Sequence, residues 1–129
     1  MLFRSAHSED APNAPHSIEL KVYGVRLFVD AARIYALAQG LPQTNTVERL
    51  RAAGPGTRMS AEVVEATVAA FLAIQQLRLR NQASQDALSE DTANRINPDK
   101  LNELDRHILK ESLRLARRLQ QRLALDYQV

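Results

Sequence analysis

The chain has 129 residues, near the mode for single domains, and 45 % of it is apolar while only 5 % is aromatic. That balance, rich in Ala, Leu, Arg and Gln, favours helix over strand. It has no cysteine and a formal net charge of only +2, which excludes disulfides, iron–sulfur clusters and thiolate zinc sites and leaves nucleic-acid binding without electrostatic support.

Residues 1–17 mix Pro12, Pro15, Asn13, His7 and acidic residues without periodicity, which reads as a linker or as the tail of an upstream domain, with the folded part at 18–129. This N-terminus lacks the apolar segment of a signal peptide. The longest apolar stretch, Val68 to Ile74, falls far short of the roughly 20 residues a membrane span needs. The expectation is a cytoplasmic protein with no membrane partner.

A first helix is predicted from Val25 to Gln39, closed by Gly40 in the left-handed cap position with Pro42 beyond. Arg26, Asp30 and Arg33 form one narrow stripe, while Leu27, Phe28, Val29, Ile34, Tyr35 and Ala38 cover the rest, a pattern suited to the middle of a bundle. The stripe reads either as ion pairs on an exposed flank or as the lining of a groove. A short second helix is predicted over Thr46–Ala53, with Asn45 and Glu48 spaced as a capping-box variant, Gly54 as its stop and GPGTR as a turn.

The third helix should start after Ser60, with Glu62 near its positive end, and run to about Ala87. Its apolar arc holds Val63, Val64, Thr67, Val68, Ala70, Phe71, Ile74 and Leu77, and Arg78 falls near the centre of the same arc, flanked by Asn81 and Gln82. Arg78 is read in two ways. It is a buried structural arginine paired with Asp30, Glu48 or Asp105, or it lines a notch and reaches for a phosphate or carboxylate.

After the polar loop SEDTANRI, Asn97 and Pro98 make an N-cap followed by proline at the first helical position, predicting a fourth helix from Pro98 to about Asp126. Leu101, Leu104, Ile108, Leu115, Leu119 and Leu123 are expected on its inner face. Arg106, Lys110, Arg114, Arg117 and Arg118 crowd the other, read as solvated or as docking an acidic upstream domain. The fold class is therefore all-α, a bundle of about four helices whose last two, each near 40 Å at about 1.5 Å per residue, pack antiparallel.

Catalytic motifs are missing. Nucleotidyl transfer needs a Gly-Ser turn and an Asp-x-Asp pair for divalent metal, and neither occurs here; nor does a Walker loop or GxGxxG. His7 and His16 lie in the tail, His107 lies on the polar face of the fourth helix, and no arginine precedes a histidine with four to six residues between them, as in some helical ribonucleases.

The blocks IELKVYGVRLFVDAARIYALAQGL, TNTVERLRAAG, LRLRNQ and NPDKLNELDRHILKESLRLARRLQQRL, in that order, resemble the nucleotidyltransferase substrate-binding domain family, a likeness spanning roughly Leu2 to Asp126. That family lies at the C-terminus of bacterial signal-transduction proteins in which cyclic-nucleotide-binding or paired CBS domains precede a nucleotidyltransferase-like domain similar to PII-protein uridylyltransferases. The resemblance implies a substrate- or partner-binding role beside an upstream catalytic domain that would carry the magnesium and nucleotide, with a protein or small-molecule acceptor and no cofactor or metal in this chain. The polar positions matching the family pattern, and so the implied substrate-binding residues, are Lys21, Arg33, Asn45, Glu48, Arg49, Arg78, Arg80 and Gln82, with Thr44 and Thr46 beside them. Many relatives resemble LRLRHQ, and Asn81 here replaces the histidine, leaving hydrogen bonding but no proton transfer at that position. The rival expectation is a helical dimerisation or interaction module without ligand.

Overall fold

The computed structural model describes residues 18–19, 24–84 and 95–127. The expected tail, Lys21 and the third helix's predicted extension beyond Ser84 lie outside these residues. Four α-helices stand among them: α1 (Arg26–Ala38), α2 (Thr46–Ala53), α3 (Ala61–Ser84) and α4 (Glu103–Tyr127). One antiparallel ladder joins β1 (Ile18–Glu19) to β2 (Arg95–Ile96), with Ile18 opposite Ile96 and Glu19 opposite Arg95. The all-α bundle expected from the sequence is the fold found.

Helix α1 ends as its punctuation predicts. Gly40 takes φ +67°, and the Leu41 and Gly40 N–H groups donate to the carbonyls of Ala36 and Leu37 at 2.9 and 3.2 Å, a Schellman closure. Phe28, Ala31, Ala32, Tyr35 and Ala36 are buried, with Val25, Leu27, Val29 and Ile34 packed partly against the same core. Leu37 stays 69 % exposed, so α1 is covered on most sides rather than all.

At α2, Asn45 Oδ1 accepts the Glu48 N–H at 2.8 Å while its own amide donates to Glu48 Oε1 at 2.8 Å, the reciprocal cap that the spacing announced. Gly54 is the stop expected, standing at the C-cap of α2 just after Ala53. Its φ of −48° is right-handed, and a Cβ there would meet Val64 Cγ2 at 2.6 Å. The glycine is needed here for the close approach of α2 to α3, not for a left-handed backbone. Thr57 then hooks back, its N–H and hydroxyl donating to the Gly54 carbonyl at 2.9 and 2.6 Å, and Ser60 Oγ accepts the Val63 N–H at 3.2 Å to start α3.

Helices α3 and α4 run antiparallel: Arg80 near the end of α3 meets Asp105 near the start of α4 at 3.3 Å, while Val63 and Ala66 at the other end of α3 share a groove with Leu119 and Arg122. Between them lie Ile74 and Leu109, both fully buried, and Phe71, whose ring meets the edge of Phe28 from α1 at 5.7 Å between centroids. Full burial of such a side chain is worth about 1.5–3 kcal/mol, so this three-helix contact anchors the core.

Two expectations for the fourth helix are corrected. It does not begin at Pro98: Asn97 Oδ1 caps a single 3-10 turn over Pro98–Lys100, Leu101 is extended (φ −84°, ψ 152°), and Asn102 Oδ1 accepts the Asp105 N–H at 2.7 Å to start α4 at Glu103. Arg106 clamps the break by donating to the carbonyls of Pro98 and Leu101, each at 3.1 Å. The buried face is Leu109, Ser112, Leu113, Ala116, Leu119 and Leu123. At about 100° per residue, Leu104, Ile108 and Leu115 lie roughly a quarter-turn from its centre, and Leu104 is 67 % exposed. Val63, placed in the apolar arc of α3, is likewise 40 % exposed.

Candidate functional site

The residues matching the family pattern fall on separate elements. Arg33 lies on the exposed flank of α1, 3.9 Å from Asp30, its neighbour one turn back, which is the ordinary ion-pair reading of that stripe. Asn45 and Glu48 are engaged with each other in the α2 cap, and Arg49 Nε donates to the Gln43 carbonyl at 3.0 Å, closing the loop before the helix. Thr44 and Thr46 border the same cap.

Arg78 and Arg80 occupy the last turns of α3. Arg78 is half-buried, so the several-kilocalorie cost attached to complete burial does not apply to it. Asp105 of α4, one of the three carboxylates weighed for Arg78, is 17 % exposed and pairs with Arg80 at 3.3 Å. Lys21 lies outside the described residues, and Gln82 is placed by its backbone alone. The cap residues thus stand together at α2, Arg80 meets the start of α4, and Arg33 stands apart.

At the opposite end of the α3–α4 pair is a groove of about 820 Å³. One wall is the start of α3, with Val63, Ala66 and Thr67, and the other is the last third of α4, with Leu115, Leu119, Leu125 and Gln121. Arg118 and Arg122 project from α4, and Arg58 and Met59 enter from the turn before α3. Arg58 and Arg118 are exposed and Arg122 is half-buried. The Thr67 hydroxyl is held by the Val63 carbonyl at 2.7 Å, so the wall it contributes is chiefly its methyl group.

Asp126 closes one end of the groove and accepts the hydroxyl of Tyr35 at 2.9 Å, while the Tyr35 ring meets Tyr127 edge to face at 5.4 Å. Burial, followed by the hydrogen bond and charge of Asp126, holds the Tyr35 phenol well above the usual tyrosine range. The phenol is therefore a fixed donor at physiological pH, and it moors the end of α4 to α1.

The sequence reading missed this groove. The sequence places Arg118 on a basic face that is solvated or docks an acidic upstream domain, and Arg58 in a turn, and their separation in the chain carries no spacing rule. The available hint was Arg118 and Arg122, like charges one helical turn apart, bracketed by Leu115, Leu119 and Leu125.

Among the described residues no three His, Asp or Glu side chains come together as a metal-holding set, and no helix is long and apolar enough to cross a membrane. A family model described as "Putative nucleotidyltransferase substrate binding domain" matches residues 1–127. No curated protein and no solved structure matches the chain.

Proposed function

Because the chain belongs to the family of nucleotidyltransferase substrate-binding domains, we propose that it holds a substrate or partner for a nucleotidyltransferase-like catalytic domain carried upstream in the same protein, in cytoplasmic signal transduction of the uridylyltransferase kind. In this division of labour the upstream domain binds magnesium and nucleotide, and the helical bundle presents the acceptor, a protein segment or small molecule. The observation that carries the reading is the groove between α3 and α4, whose volume of about 820 Å³ is that of small-molecule sites. The family match along nearly the whole chain supports the same assignment.

The test starts upstream of Met1. A Gly-Ser turn and an Asp-x-Asp pair are expected within about 150 residues, one domain length; their absence defeats the reading. Given that block, deleting the helical domain from the full-length protein should abolish acceptor-dependent nucleotidyl transfer while nucleotide binding persists. Transfer at the undiminished rate would count against a substrate-holding role.

A second reading, a homodimerisation module, draws on Leu72 and Leu79. They lie seven residues apart on one side of α3 and are 50 % and 65 % exposed. Light scattering separates it, since a monomer at every concentration rejects it.

A further inference from the structure

The arginines of this chain divide into two kinds. Several are committed: Arg51 to Glu65 by two 3.0 Å bonds, Arg80 to Asp105, Arg114 to Glu111, Arg49 and Arg106 to backbone carbonyls. By contrast, Arg58, Arg118 and Arg122, brought into one groove from two distant segments, make no side-chain hydrogen bond or ion pair among the described residues. Arg118 and Arg122 repel each other across one turn of α4, and Arg58 adds a third positive charge from the facing side. Among the described residues that line the groove the one carboxylate is Asp126, which already accepts the Tyr35 hydroxyl.

We infer that this groove is a binding site for a phosphate-bearing small molecule. Three guanidinium forks exceed what one carboxylate can neutralise, whereas a phosphoryl group brings up to two negative charges and three acceptor oxygens, matched to the bidentate geometry of arginine. The apolar wall of Val63, Leu115, Leu119 and Leu125 takes the organic part of the ligand. Asp126 at the end of the groove disfavours a ligand anionic along its whole length, as an acidic peptide is, and offers an acceptor to a ligand hydroxyl or amino group. The inference rests on the reading of the chain as a substrate-binding domain and gives the substrate its chemical class. A nucleotide and a phosphorylated acceptor share that chemistry.

Calorimetric titration of the chain at low salt with inorganic pyrophosphate, UTP and glucose 6-phosphate tests it. Pyrophosphate should bind, and Arg118→Gln and Arg58→Gln, on separate elements, should each weaken it about tenfold, the loss expected for one charge-assisted contact. Arg114→Gln, whose partner is Glu111 outside the groove, should change it less than about twofold. Melting curves of the glutamine variants should superimpose on the parent's, since these side chains support no packing. Tighter binding of UTP than of pyrophosphate assigns a nucleotide, and tighter binding of glucose 6-phosphate a phosphorylated acceptor. No binding of any of the three at millimolar concentration, or an Arg114→Gln variant weakened as much as the groove variants, overturns the site. Failure here removes the ligand class alone, whereas the cis-domain reading stands or falls on the upstream sequence and the deletion assay.

Discussion

Replacing Tyr35 by Phe isolates one hydroxyl at the closed end of the bundle. The ring is 1 % exposed and its edge-to-face contact with Tyr127 survives the change, so only the 2.9 Å bond to Asp126 is lost. A hydrogen bond to a charged group contributes about 1.5–3 kcal/mol, but Asp126 is exposed and water replaces the lost donor. Phe also avoids burying a hydroxyl, and these offsets bring the expected loss to about 1 kcal/mol. At about 2.1 cal/mol/K of unfolding entropy per residue, that lowers the melting temperature by about 4 °C. The phenol also titrates. Its folded pKa lies above the ordinary tyrosine value of about 10, so its contribution is fully present below that pH and is lost as pH rises through the folded value, because the unfolded chain releases its proton first. The parent should therefore lose its advantage over Tyr35→Phe above about pH 10, by up to roughly 1.4 kcal/mol per pH unit. Urea denaturation of both proteins at about pH 8 and about pH 10.5 measures this. Equal midpoints at the lower pH, or parallel declines at the higher, would refute the account of a buried, singly partnered hydroxyl.

Gly54→Ala should destabilise by about 1–3 kcal/mol, because the new methyl meets Val64 and must spread α2 from α3; Val64→Ala in the same chain should recover part of that loss, which a double-mutant cycle reads. Gly40→Ala meets no atom within 4 Å but takes φ +67°, so it should cost about 1–2 kcal/mol from backbone strain alone, with Asn tolerated better, as thermal melts will show. Glu65→Gln should alter neutral stability too little to resolve. Its carboxyl is held below the usual range by the Arg51 hydrogen bond, so any contribution is present above the ordinary carboxylate range and fades as pH falls through the folded value, and the variant's acid midpoint tests that sign.

What could be read from the sequence was local. Gly40, the Asn45–Glu48 pair and Ser60 each act on groups within a few residues, so their chemistry is written in adjacent letters, and the ends of α1 and α2 and the start of α3 followed. Asn97 and Pro98 sent an equally local message that was true for one 3-10 turn. The restart at Glu103 depends on Asn102, a second cap whose partner Asp105 stands three residues on, and the stronger Asn-Pro signal just ahead masks it. The inner face of α4 turned on which leucines α1 and α3 reach, and Leu104 lies off that face. The groove was least legible of all, because Arg58 and Arg118 meet only through an antiparallel pairing that no spacing encodes.

The connection from Gly54 to Ser60 is a surface segment, and surface connections ordinarily accept added residues with little consequence. This one is held at both ends and in the middle: Gly54 lies against Val64, Thr57 is bonded back to the Gly54 carbonyl and also accepts the Met59 N–H at 3.1 Å, and Ser60 caps α3. It works as a strut of set length, and a single inserted residue would both loosen α2 from α3 and carry Arg58 out of reach of Arg118 and Arg122. Lengthening should thus be tolerated poorly in a place where exposure alone would suggest freedom.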